Sequence, residues 1–325
     1  MSGWKRGLAL LAAVCILGGC SGGPEEAPSS DGFTETTGPH APTASEQASQ
    51  ITVVDGAGDL NMREIIPGSV YKGEIEINTP EASGTVTYEK NGVTIDASHT
   101  EDGYIMAKCE GATSRLKVQV IRGEEKYQYD LNQEGKYEVF PLQMGNGTYE
   151  VGVYQHVKDK SYTPLCTATL EVEMPDTDRV FVFPSQYVWY TNEESATKLS
   201  YDLCVGITGD AEKVEKIYDY VVGFLSYDYD EAEDVKNGKI TSYLPDLEEV
   251  IETKKGICFD YSALYAAMLR AQDIPVRLVI GYVQPENLYH AWNQVYVDGK
   301  WVWKDTTFGP NTTHTAKDYT GDREY

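Results

Sequence analysis

Two patterns of apolar and polar positions divide the chain. From about residue 51 to residue 180, apolar residues recur at every second position in short runs. GTVTYEKNGVTI (84–95), SRLKVQVI (114–121), GKYEVFPL (135–142), GTYEVGVYQHV (147–157) and CTATLEVEM (166–174) are examples. Alternation of this kind puts successive side chains on opposite faces of a strand. Asn91-Gly92 and Gly145-Asn146-Gly147 supply turn chemistry between the runs. After Pro184 the period lengthens. Thr191-Asn192-Glu193-Glu194 has the spacing of a capping box and predicts a helix running toward Cys204. From Asp210, the residues Val214, Ile217, Tyr218, Val221, Val222 and Leu225 make one helical stripe. A short helix is expected over 247–254. Another opens at Cys258, with Ala263, Leu264, Ala267, Met268 and Ala271 at three-and-four spacing. PVRLVIGYV, YHAWNQVYV and KWVWKDT then return to strand-like character.

Regularly spaced short strands without helical periods predict an all-β, immunoglobulin-like sandwich over 51–180. Helices followed by strands predict an α+β domain over 181–325, its helices packed on an antiparallel sheet. The N-terminus belongs to neither. Lys5 and Arg6 precede an apolar run from Leu8 to Leu17, too short for a permanent membrane span and suited to export. Residues 1–19 therefore read as a signal peptide. The run ends in Leu17-Gly18-Gly19-Cys20, which resembles the bacterial lipobox and implies a lipidated Cys20. Residues 20–50, rich in Ser, Thr, Pro, Gly, Glu and Ala, read as a flexible tether. The expected location is outside the cell, facing outward from the membrane on a lipid anchor.

Composition narrows the function. The chain has 325 residues, of which 41% are hydrophobic, enough to build two cores. A formal net charge of −24 argues against nucleic acid and against a basic membrane-binding patch. It suits a soluble, monomeric exported protein. Cys109, Cys166, Cys204 and Cys258 remain after processing. They show no CxxC pair and no metal-ligand spacing with the five histidines, so neither zinc nor another cofactor is expected. Cys109 with Cys166 is the one disulfide pairing considered. His99 and His156 read as surface or strand residues.

The candidate chemistry lies in the second region. Cys258 opens a helix, and a helix N-terminus favours an anion such as a thiolate. Asp298-Gly299 is the preferred pair for a two-residue hairpin turn, which pairs Val297 with Lys300 and fixes the register outward. Trp292 then lies opposite Asp305, and His290 becomes a diagonal neighbour of Asp305 on one sheet face, about 7 Å away. A thiol needs a base, and an imidazole base needs a carboxylate to hold its tautomer. Cys258, His290 and Asp305 are the candidate catalytic residues. The bland alternative is a buried cysteine, a satisfied strand histidine and a turn-capping aspartate.

These residues also carry a family resemblance. GICFDYSALYAAMLRAQDIPVRLVIGY, then HAWNQVYVDGKW, then KDTTF resembles the transglutaminase-like superfamily, papain-related in fold, over about residues 185–310. Gln294 stands where many members carry Glu, and Thr306 where proline is usual. The resemblance implies Cys258 as nucleophile, His290 as general base and acid, and Asp305 as its orienting group. It further implies a surface-anchored enzyme making a thioester from a peptide amide. Water would complete a protease or peptidase reaction, and an amine a transglutaminase reaction. The expected partner is a protein or peptide substrate, cell-wall peptide included. Oxyanion donors are expected at the Cys258 backbone amide and, as a weaker candidate, Tyr227. The competing class is a non-catalytic surface protein that binds peptide or wall polymer in the same groove.

Overall fold

The computed structural model describes residues 33–34 and 65–325. The expected signal peptide, Cys20, most of the tether and residues 51–64 of the β region lie outside the described residues.

The first half is built on strands, with short helical turns at Thr100–Asp102 and Arg179–Val182. β1 (Phe33–Thr34), β5 (Leu116–Arg122), β6 (Glu125–Leu131), β8 (Gly147–Lys158) and β9 (Ser161–Val172) form one antiparallel sheet in the order β1-β9-β8-β5-β6. A second sheet has the order β2-β3-β4-β7, from β2 (Thr87–Lys90), β3 (Val93–Asp96), β4 (Tyr104–Cys109) and β7 (Glu138–Pro141). Val93, Ile95 and Ile105 of the second sheet share one buried cluster with Val118, Val120, Tyr149, Val151 and Val153 of the first. The hairpin at Asn91-Gly92 has both residues at positive φ, 52° and 78°, as its two-residue turn requires. β1 falls within the segment read as tether, where it extends the open edge of β9. Cys109 and Cys166 are both buried free thiols, so the pairing considered for them does not form. Cys166 instead directs its sulfur to the Tyr88 carbonyl at 3.7 Å.

The second half combines helices with an antiparallel sheet. α1 (Ser195–Leu203), α2 (Asp210–Phe224), α3 (Tyr229–Lys236), α4 (Leu247–Thr253) and α5 (Cys258–Arg270) precede β12 (Val276–Val283), β13 (Leu288–Val297), β14 (Lys300–Lys304) and β15 (Tyr319–Glu324). The sheet order is β14-β13-β12-β15. A small parallel pair, β10 (Ser226–Tyr227) with β11 (Lys255–Gly256), closes the approach to α5. The α2 stripe is buried as its period predicts, through Val214, Ile217, Tyr218 and Val221.

Three features depart from the sequence pattern. α1 begins at Ser195 and takes its cap from another helix: Glu248 of α4 accepts the Ser195 N–H at 2.6 Å and its hydroxyl at 2.7 Å. Thr191 does not cap it. α5 is buried all round from Asp260 to Arg270, because it is enclosed by α1, α2 and the sheet, so its three-and-four face is only part of its apolar surface. β15 was not anticipated. It reaches β12 at Gly281, where a Cβ would come within 2.1 Å of the Thr320 carbonyl oxygen.

Candidate active site

The β13–β14 hairpin turns at Asp298-Gly299, with φ of 53° and 74°, and pairs Val297 with Lys300 through to Asn293 with Lys304. Continued one step, this register sets Trp292 opposite Asp305, and His290 and Asp305 share a face. His290 Nε2 and Asp305 Oδ2 are 2.8 Å apart, with the two side chains 2% and 0% exposed. Such a charge-assisted contact is stronger in a dry site than in water.

Every acceptor position of Asp305 is used. Oδ2 receives the Tyr319 hydroxyl at 2.7 Å as well as the imidazole. Oδ1 receives the backbone N–H groups of Thr307 at 2.9 Å and Phe308 at 3.0 Å. Its own carbonyl accepts the Tyr218 hydroxyl of α2 at 2.9 Å. Burial by itself would raise the Asp305 carboxyl, but the charge of His290 and these hydrogen bonds bring it below the usual aspartate value. Burial would likewise pull the His290 imidazole down. The carboxylate of Asp305 and the side chain of Cys258 outweigh this and push it up to about 10. The imidazole is enclosed by aromatic rings, stacking on Phe308 at 4.5 Å.

Cys258 completes the group from α5. Its side chain is close enough to help raise the His290 imidazole, and with Nε2 taken by Asp305, Nδ1 is the ring nitrogen left for the sulfur. Unlike the buried Cys109, Cys166 and Cys204, it is only half-buried. The first turn of α5 is tied down by Asp260 at N3, whose carboxylate accepts the Ile257 N–H at 2.7 Å. Gly256 makes room for that carboxylate, since a Cβ there would lie 2.6 Å from the Asp260 Cβ. The β10–β11 pair sets Tyr227 against Gly256, and its phenol lies beside the backbone amide of Cys258. Nearby, Gln294 lies 3.5 Å from Arg277, which is stacked on Trp301 at 3.9 Å.

The structure thus brings Cys258, His290 and Asp305 together. A model of the transglutaminase-like superfamily matches residues 197–306. Residues 197–306 form a transglutaminase-like domain. The kyphoscoliosis peptidase of Mus musculus is 25% identical over 136 residues, which is 39% of this chain and 20% of that protein. A UPF0252 protein of Methanocaldococcus jannaschii is 32% identical over 113 residues, 32% of this chain and 31% of that protein. The chain spans about a fifth of the length of the kyphoscoliosis peptidases that it matches. Among solved structures, a candidate cysteine protease from Cytophaga hutchinsonii is 19% identical with a TM-score of 0.35, covering 64% of this chain and 76% of that one. A structure described as a TGase is also 19% identical, with a TM-score of 0.29, covering 51% and 47%.

Tyr319 and Tyr218 escaped the sequence reading. Tyr319 lies beyond the matched segment, after a loop with no period to predict a strand. Tyr218 belongs to an apolar stripe in which its hydroxyl leaves no signal. Among the described residues, no group of three His, Cys, Asp or Glu side chains could hold a metal ion. No described helix is long and apolar enough to cross a membrane.

Proposed function

We propose that the transglutaminase-like domain is a cysteine-dependent enzyme that transfers acyl groups from peptide amide bonds. The observation that carries this reading is the buried His290–Asp305 ion pair, with the Cys258 side chain acting on the same imidazole. In this reading the raised His290 imidazole already holds the thiol proton of Cys258 on Nδ1, and the sulfur attacks the amide carbon as a thiolate. His290 then returns that proton to the leaving amine, giving a thioester on Cys258. Asp305 keeps the other ring proton on Nε2 and balances the imidazolium charge. The Cys258 amide, at the start of α5, and the Tyr227 hydroxyl are the groups suited to the oxyanion.

Hydrolysis of the thioester is the favoured outcome, which makes the protein a peptidase; the mouse and human relatives are named as peptidases. Capture by an amine would make it a transglutaminase. Export, lipidation at Cys20 and an immunoglobulin-like character for the β region belong to the same proposal, with substrate met outside the cell. Labelling the protein with iodoacetamide and screening a peptide library with and without added amine tests it. Cys258→Ala is expected to abolish turnover and to leave the melting temperature nearly unchanged. Turnover retained by that variant would overturn the catalytic reading of this site, and no turnover by the parent would favour a peptide-binding groove.

A further inference from the structure

Asp260 lies two residues after Cys258 and is completely buried. Its Oδ2 accepts two hydrogen bonds, from the Ile257 N–H at 2.7 Å and from the Tyr243 hydroxyl at 2.6 Å. Its Oδ1 is buried with no hydrogen-bond partner. A carboxylate oxygen left without a donor in a dry site is a standing destabilisation. Capping one N–H does not require that, because a solvent-facing side chain at N3 caps a helix equally well.

Tyr243 explains what the burial achieves. It lies in the segment joining α3 to α4, and its ring packs on Phe259, next to Cys258, with centroids 6.2 Å apart. Glu231 of α3 lies close enough to the phenol to interact with it electrostatically. The Tyr243 side chain therefore ties the segment before α4 to the first turn of α5, beside Glu231 of α3. The titratable and charged groups facing Asp260 are Tyr243 and Glu231, and Cys258 lies on its own turn. Burial pushes the Asp260 carboxyl up to about 7; the hydrogen bonds from Tyr243 and Ile257 oppose the rise, and the charge of Glu231 adds to it.

We propose that Asp260 is a positioning residue, whose clasp with Tyr243 holds the first turn of α5, and with it Cys258, against the segment spanning 229–246. This rests on Cys258 being the nucleophile. The clasp links the nucleophile to a neighbouring segment, so a proton taken up by Asp260 is felt at the sulfur.

The test is the rate of Cys258 alkylation by iodoacetamide from pH 6 to 9, in the full chain. The parent is expected to show a step near pH 7. Tyr243→Phe removes a donor that favours the carboxylate, so the midpoint moves upward, and the plateau rate changes by about three- to tenfold. Asp260→Asn removes the step. The double variant is expected to be no more impaired than the more impaired single variant, because both act through one bond. Parent-like rates and an unchanged step in Tyr243→Phe, with only the melting temperature lowered, would overturn the proposal and leave Asp260 a plain cap. If Asp260→Asn fails to fold, Tyr243→Phe carries the test, since it leaves α5 intact. Alkylation needs no turnover, so failure of the catalytic reading, seen as activity in Cys258→Ala, is not confused with failure of the clasp.

Discussion

Replacing Asp305 by asparagine tests the site most directly, because the structure dictates how the amide must sit. The backbone N–H groups of Thr307 and Phe308 can only donate, so the amide oxygen stays on them. The NH2 group then occupies the place of Oδ2, facing His290 Nε2 and Tyr319. Two donors now meet at Nε2. The imidazole, no longer paired with a carboxylate, relieves this by carrying its proton on Nδ1, the nitrogen left for Cys258, and so has no lone pair there for the thiol proton. The lost charge-assisted bond is worth about 1.5–3 kcal/mol, or roughly one to two decades of rate. The wrong tautomer adds to this, for an expected fall in kcat of about 10³ to 10⁴. KM is expected to change little, since Asp305 is buried and out of reach of substrate. Nitrogen-15 spectra of the ring report the tautomer without any substrate, and single-turnover acylation of Cys258 reports the chemical step. A variant that keeps Nε2–H, or acylates within a few-fold of the parent, would refute the reasoning.

Other expectations follow from neighbouring contacts. Tyr319→Phe deletes one donor to the Asp305 carboxylate, so the rate should fall about 5- to 10-fold and the carboxyl should titrate at higher pH, read from the acid limb of the pH–rate profile. The raised His290 stabilises the fold fully below its unfolded value near 6.5, and that contribution should be lost as pH rises through about 10. The lowered Asp305 acts in the opposite sense, contributing above its unfolded value and losing that contribution as pH falls. Urea titrations of parent and Asp305→Asn across pH should therefore differ most between these limits. Arg270, fully buried, donates to the carbonyls of Val276, Phe183 and Tyr325, and burial lowers it to about 10. Arg270→Met leaves the Val276 and Phe183 carbonyls without that donor and should destabilise the protein by about 2–5 kcal/mol in the same titrations; a loss below 1 kcal/mol would count against that role.

Much of the site was legible because its determinants are short-range. Asp298 and Gly299 select a two-residue turn from their own backbone preferences. Strand alternation then carries the consequence outward, to put His290 beside Asp305 without reference to the rest of the chain. The spacing of Val214, Ile217, Tyr218 and Val221 likewise oriented α2, and the start of α5 at Cys258 followed from the helical period beyond it. What remained hidden depends on contacts between residues far apart along the chain. Glu248 caps α1 across 53 positions, Tyr218 reaches the Asp305 carbonyl across 87, and Tyr243 meets Asp260 across 17. Tyr319 is only 14 residues from Asp305, yet it arrives by a loop and an edge strand whose docking depends on Gly281 lacking a side chain. A local pattern records which face a residue occupies. Which partner fills the opposite side is decided by packing, where a hydroxyl inside an apolar stripe looks like any other core residue until the chain has closed around it.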